Sequence, residues 1–283
     1  MRGLHLLIAA TALAVSGCPS AKNNDQAPAS PAADTAAEPA VSTWELVVWA
    51  DPLLETPLAA LQADFRAQYG GGYSMLFLER GELLSRATAG DAASPPPDVF
   101  ITADTPTPTA LREAGVTDEV TARTFAGDSL ALVQPAGQGY ASGTLFDIYK
   151  LRFEHLAVGA EETAVGYYAR QALITEGGFK RVEDRLKPFA RTTELLASLS
   201  GGESPLAIIT KSQFVQSDGL ALVLLVSERL HEDIRYQAVA ARGRGADAGV
   251  LALLRFLAED EQIQLKLAGF GLIDRQTAMV EDR

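Results

Sequence analysis

The stretch WELVVWADPLLETPLAALQADFRAQYGGGYSMLFL, residues 44–78, decides the fold. Its first run, WELVVWA (44–50), is short, apolar and rich in β-branched and aromatic side chains, which predicts a buried strand. PLAALQADFRAQYG (57–70) then places apolar residues at helical spacing and stops in glycines, which predicts a helix. YSMLFL (73–78) predicts a second strand. Working outward, ELLSRATAG (82–90) reads as a short helix, and DVFIT (98–102) as a third strand after the breaker SPPP. A β-α-β-α-β series at this spacing implies parallel strands joined by right-handed crossovers, hence an α/β fold.

The pattern recurs further along. SLALVQP (129–135) predicts a strand leaving the first lobe, and HLAVG (155–159) opens a second series. It continues with helices over 165–178 and 193–202 and a strand over 205–210. RYQAVAA (235–241) predicts a strand returning to the first lobe, and two helices over 249–271 close the chain. Two α/β lobes with a cleft between them are expected, the first from about 43–130 and 236–283, the second from about 131–235. No repeat of the solenoid kind is visible.

The 283 residues are 47% hydrophobic and 21% charged, enough to bury a sizeable core. The net charge of −12 and the lack of a basic stripe exclude a nucleic-acid surface, because phosphates would be repelled.

Residues 1–18, MRGLHLLIAATALAVSGC, combine Arg2, an apolar run too short to span a bilayer comfortably, and small residues before a cysteine. This predicts an export signal. The ending VSGC resembles the lipobox of bacterial lipoproteins, which implies cleavage before Cys18 and its lipidation. Cys18 is the single cysteine, so no intramolecular disulfide can form. Residues 19–42, PSAKNNDQAPASPAADTAAEPAVS, contain no aromatic side chain and predict a disordered tether. Such a tether reaches about 80 Å fully extended and roughly 27 Å on average as a flexible coil.

Several segments in order, LVVWA, PLAALQADFRAQYG, LLSRATAGDAASPPPDVFITAD, FAGDSLALVQP, HLAVGAEETAVGYYARQAL, SPLAIITKSQF and LRFLAEDEQIQLKLAGFGL, resemble the periplasmic molybdate-binding proteins of ABC importers. The resemblance runs from about 45 to 275. DVFITAD (98–104), GDSLALV (127–133) and the pair TAVGYYA and SPLAI are its most specific pieces. The resemblance implies a type II periplasmic binding protein: two α/β lobes, a hinge of crossing strands, and a small tetrahedral oxyanion held in the cleft. It implies a monomeric partner of an ABC permease, on the periplasmic side of the cell envelope and anchored through Cys18, with no cofactor or metal. Such a site works through backbone N–H groups at helix N-termini and hydroxyl donors.

Carried over position by position, the resemblance implies ligand contacts at Asp51, Leu53, Glu79, Arg80, Gly81, Val165, Thr192 and Thr210. A family serine falls on Leu53, where the hydroxyl is gone, while Pro52 has no N–H and Asp51 adds negative charge. A second serine loop falls on Glu79, Arg80 and Gly81, within LERGELL (78–84). Val165 and Gly166 begin the helix whose backbone N–H would serve. A further backbone contact maps to Thr192, and a family tyrosine maps to Thr210.

A carboxylate is itself a good cap for free N–H groups, so Glu79 or Asp51 could occupy the place of an oxyanion. Each lost hydrogen bond to a charged ligand costs about 1.5–3 kcal/mol. A carboxylate roughly 4 Å from a unit charge adds about 4 kcal/mol of repulsion at an effective dielectric near 20. Three readings of LERGELL stay open: Glu79, Arg80 and Glu82 pointing to solvent at an exposed helix start, a cleft altered so that Arg80 receives an anion and Asp51 or Glu79 meets a cation, or oxyanion binding through a different register of this loop. Catalysis has little support, since no G-x-S-x-G, metal-ligand cluster or cysteine nucleophile is present beyond Cys18.

Overall fold

The computed structural model describes residues 44–90 and 95–274. The expected leader, Cys18 and tether at 1–42 lie outside the described residues. The strands are β1 (Glu45–Ala50), β2 (Gly72–Phe77), β3 (Val99–Thr102), β4 (Arg123–Asp128), β5 (Leu130–Pro135), β6 (Leu156–Gly159), β7 (Leu186–Phe189), β8 (Leu206–Thr210), β9 (Leu220–Leu225), β10 (Ile234–Ala240) and β11 (Ile273–Asp274). The helices are α1 (Glu55–Tyr69), α2 (Arg80–Ala89), α3 (Pro106–Glu113), α4 (Ala164–Thr175), α5 (Phe179–Val182), α6 (Thr192–Ser200), α7 (Lys211–Gln216), α8 (Ala248–Glu259) and α9 (Glu261–Gly269).

Two sheets form. The first has strand order β11-β4-β10-β3-β1-β2, the second β7-β6-β8-β5-β9. β1 pairs in parallel with β2 and β3, as the β-α-β-α-β reading requires, whereas β10 runs antiparallel to β3 and β4. The sheets are therefore mixed. Both belong to one compact unit.

Alternation along the strands explains why both sheet faces are covered. Leu46, Val48 and Ala50 of β1 face the main core with Ile101, Ala238 and Ala240, while Trp49 joins Phe100 and Val239 on the other face. In the second sheet Leu130, Leu132, Leu156 and Ile208 face the main core, and Ala131, Val133, Ala157 and Ile209 pack against Leu195 and Leu199 of α6. Burying each face removes water from apolar surface at about 25 cal/mol per Å².

The chain changes sheets twice. β4 ends at Asp128 and β5 begins at Leu130, so Ser129 alone separates a strand of the first sheet from one of the second. The return runs from Leu225 at the end of β9 to Ile234 at the start of β10. These crossings put the C-terminal ends of β1 and β2 opposite the N-termini of lobe-two helices. Among the described residues, no helix is long and apolar enough to cross a membrane.

Candidate functional site

Asp51 follows β1 and caps the short 3-10 turn Pro52–Leu54, its Oδ1 accepting from the Leu53 N–H at 3.0 Å. That turn packs against α6 of the other lobe. Leu53 is buried and its N–H is committed to Asp51, so this position offers neither a hydroxyl nor that amide to a ligand. Burial pushes the Asp51 carboxyl well above its ordinary pKa, and the neighbouring Glu79 charge pushes it the same way.

Glu79 follows β2 and begins α2, yet its side chain does not cap that helix. It crosses to the second lobe instead. The Thr192 N–H donates to its Oε1 at 2.6 Å and the Thr192 hydroxyl to its Oε2 at 3.2 Å. Glu79 is only 7% exposed, which excludes the reading of LERGELL in which this carboxylate points to solvent. Burial raises its pKa, and the Thr192 hydrogen bonds oppose the rise. Glu82 stays on its own helix, half-buried and paired with Arg86 one turn on at 2.6 Å.

Arg80 and Gly81 continue the crossing. Arg80 Nη2 donates to the Glu161 carbonyl at 2.7 Å, and its guanidinium lies 5.0 Å over the Tyr167 ring. The Gly81 N–H donates to the Glu162 carbonyl at 3.0 Å, which satisfies a first-turn amide of α2 with an oxygen of the other lobe. A Cβ on Gly81 would lie 3.1 Å from Cβ of Glu162, so the small residue permits the close approach.

Thr192 is the first residue of α6, and no side chain of the preceding Arg191 caps that helix. The cap is Glu79. Val165 lies buried in the first turn of α4, where the Thr163 hydroxyl already takes the Gly166 N–H at 3.0 Å. Thr210 is fully buried at the end of β8. The Ser212 hydroxyl donates its one proton to Asp128, so the Thr210 hydroxyl must donate to Ser212 Oγ at 3.0 Å, while accepting from the Gln213 N–H. Its proton is spent on Ser212 at the start of α7.

Of the expected residues, the structure thus gathers Asp51, Glu79, Arg80, Gly81 and Thr192 at the lobe boundary. Asp104, absent from the sequence-based set, joins them electrostatically. It is buried, accepts from the Thr107 N–H at 2.6 Å and the Thr107 hydroxyl at 2.8 Å, and is pushed up by burial. The spacing Asp-x-x-Thr at 104–107 was the available signal, since an aspartate three residues before a threonine can cap a helix start. Arg80 acts on the Asp51 and Asp104 carboxyls, pulling both downward against their burial.

Among the described residues, no cluster of three His, Cys, Asp or Glu could hold a metal ion. A cavity of about 340 Å³ is lined only by second-lobe residues such as Glu161, Arg170 and Phe179. Another of about 760 Å³ is lined only by first-lobe residues such as Trp49 and Arg242.

Residues 46–270 match the profile of a family described as bacterial extracellular solute-binding protein. The chain is 26% identical over 234 residues to the molybdate-binding protein ModA of Escherichia coli (strain K12), covering 81% of this chain and 89% of that one. In structure it resembles the Azotobacter vinelandii periplasmic molybdate-binding protein with a TM-score of 0.69 at 17% identity, covering 81% and 98% of the two chains. The sulfate-binding protein SubI from Mycobacterium tuberculosis H37Rv superposes with a TM-score of 0.68 at 13% identity, covering 83% and 88%. These likenesses establish the two-lobed α/β fold of periplasmic binding proteins.

Proposed function

From the premise that this chain belongs to the bacterial extracellular solute-binding protein family, we propose that it is a lipid-anchored solute-binding protein of an ABC importer. Its solute class is a small oxyanion of the molybdate type. The observation that carries this reading is the Thr192 N–H, which holds a negatively charged oxygen at 2.6 Å between the lobes. A helix N-terminus that binds one carboxylate oxygen offers the same donor and the same partial positive charge to an oxyanion. Asp51, Glu79, Arg80, Gly81 and Thr192 are the residues proposed to line the cleft, with Val165 at the α4 N-terminus. No catalytic residue is invoked.

The buried acids favour a second reading. With Asp51, Glu79 and Asp104 all buried, a dianion would meet carboxylates rather than hydroxyls. A cleft altered in this way suits a different small ligand, or a sensor or interaction role in the envelope. The two readings separate in a thermal-shift series with molybdate, tungstate, sulfate, phosphate and amino acids. Ligand at 100 times Kd adds about 2.7 kcal/mol of stability. A clear rise with molybdate or tungstate is expected for the oxyanion reading. No rise with any oxyanion would reject it in favour of the altered cleft.

A further inference from the structure

We propose that Glu79 is an internal anion that latches the two lobes together, holding the cleft closed when no solute is present. The inference rests on the cleft reading above, because it assigns Glu79 the place of a solute oxygen.

Three observations carry it. First, Glu79 occupies the N-cap position of α2, with extended backbone (φ −58°, ψ 150°), yet gives its carboxylate to α6 of the other lobe. An N-cap acid ordinarily bonds the free N–H groups of its own helix, so this side chain has been diverted across the cleft. Second, α6 has no side-chain cap from its own chain neighbour, and both Glu79 oxygens meet its first residue. Charge-assisted bonds of this kind are about twice as strong as neutral ones. Third, the next two residues cross as well: Arg80 reaches the Glu161 carbonyl and Gly81 the Glu162 carbonyl. Three consecutive residues of one lobe thus bind the other.

Opening the cleft would break all of these bonds at once. A solute anion seeking the Thr192 N–H must therefore displace Glu79 rather than enter an empty site. In a chain with a small hydroxyl residue at position 79, the α6 N-terminus would wait for the solute to close it.

The test is small-angle X-ray scattering of the solute-free protein for wild type, Glu79→Ala and Thr192→Pro, with molybdate and sulfate titrated calorimetrically into each. Proline at the first helical position keeps α6 while deleting the N–H that Glu79 binds, and the extended backbone of Arg191 suits the residue before a proline. Both variants are expected to show a larger radius of gyration than wild type. Glu79→Ala is expected to bind oxyanion roughly tenfold tighter or more, having lost the competing charge. Scattering identical to wild type in both variants would overturn the latch. An oxyanion that binds wild type and Glu79→Ala equally would overturn it too. A Glu79→Ala protein that opens yet binds no oxyanion would uphold the latch while rejecting the oxyanion reading, whereas Thr192→Pro, which lacks the proposed donor, is expected to bind none in either case.

Discussion

Asp128 ends β4 at the crossing between the sheets, and its carboxylate gathers the donors that fix the hinge. Oδ1 accepts from the Ser129 N–H at 2.8 Å and the Ser212 N–H at 3.2 Å, while Oδ2 accepts from the Tyr236 hydroxyl at 2.9 Å and from the Ser212 hydroxyl. Burial nonetheless pushes its pKa from 3.8 to about 6. A carboxyl raised on folding binds its proton more tightly in the native state, so its stabilising contribution is complete below its unfolded pKa. That contribution is lost as pH rises through the folded value. The swing is about 3 kcal/mol at about 1.4 kcal/mol per unit. Thermal midpoints of wild type and Asp128→Asn, followed from about pH 4 to pH 7, test this. The stability of wild type relative to the variant is expected to fall up to about pH 6 and then level off, whereas a constant difference would refute it. Asp51, Glu79 and Asp104 titrate in the same direction, but they are common to both proteins. At this scale the sequence reading showed that LERGELL carries acids where hydroxyls were expected, and not where they point. Glu79 is the N-cap of α2 and Glu82 lies in its first turn, and Glu79 turns to the other lobe because a donor 113 residues away awaits it.

The turn between β6 and α4 shows what an element needs to reach its place. A Cβ at Gly166 would lie 2.0 Å from the Ala160 carbonyl oxygen and 2.3 Å from that of Gly159, so the helix can begin this close to the strand only with glycine. Thr163 seals the junction, donating to the Ala160 carbonyl at 2.8 Å and accepting from Gly166. Gly166→Ala is expected to destabilise the protein by about 1–3 kcal/mol or more, as overpacking does. Gly143→Ala, with nothing within 4 Å of the new Cβ, is expected to be nearly neutral. Urea midpoints of the two variants check this, and equal midpoints would contradict it. Such elements were legible where periodicity was strong. The predicted strands at 44–50, 98–102, 129–135 and 205–210 and helices at 57–70 and 193–202 lie within a residue or two of β1, β3, β5, β8, α1 and α6. α4 is shorter than the expected 165–178, because the chain breaks at Gly177, whose φ is +76°, before α5 begins. Others carried weaker signals. α3 opens with Pro-Thr-Pro-Thr and buries only Thr107 and Leu111, a turn-like composition. β4 ends in Ala-Gly-Asp, residues of low strand preference held in place by pairing with β10 and β11.

For the whole molecule, the two-lobed arrangement followed from two βα series joined by crossing strands, since each series can bury its own sheet. The contacts of Glu79, Arg80 and Gly81 with the other lobe were not legible, because they join residues far apart in sequence, which no local pattern encodes. The remaining question at this scale is how the folded part is held, and it turns on Cys18, which lies outside the described residues. An apolar leader ending in VSGC, followed by an alanine- and proline-rich stretch to residue 42, suits a protein retained at a membrane by lipid rather than by a spanning helix. Each buried methylene of an acyl chain contributes about 0.8 kcal/mol, so two or more chains hold a protein firmly and their loss frees it. In a bacterial host that processes lipoproteins, the wild-type chain is expected to sediment with membranes and to incorporate labelled palmitate. Cys18→Ser is expected to do neither and to appear in the soluble extracytoplasmic fraction, with unchanged thermal stability of the folded part. A wild-type protein that is soluble and unlabelled would remove the anchor from the proposed function while leaving the cleft chemistry intact, because the Glu79 crossing is built entirely from residues beyond the tether.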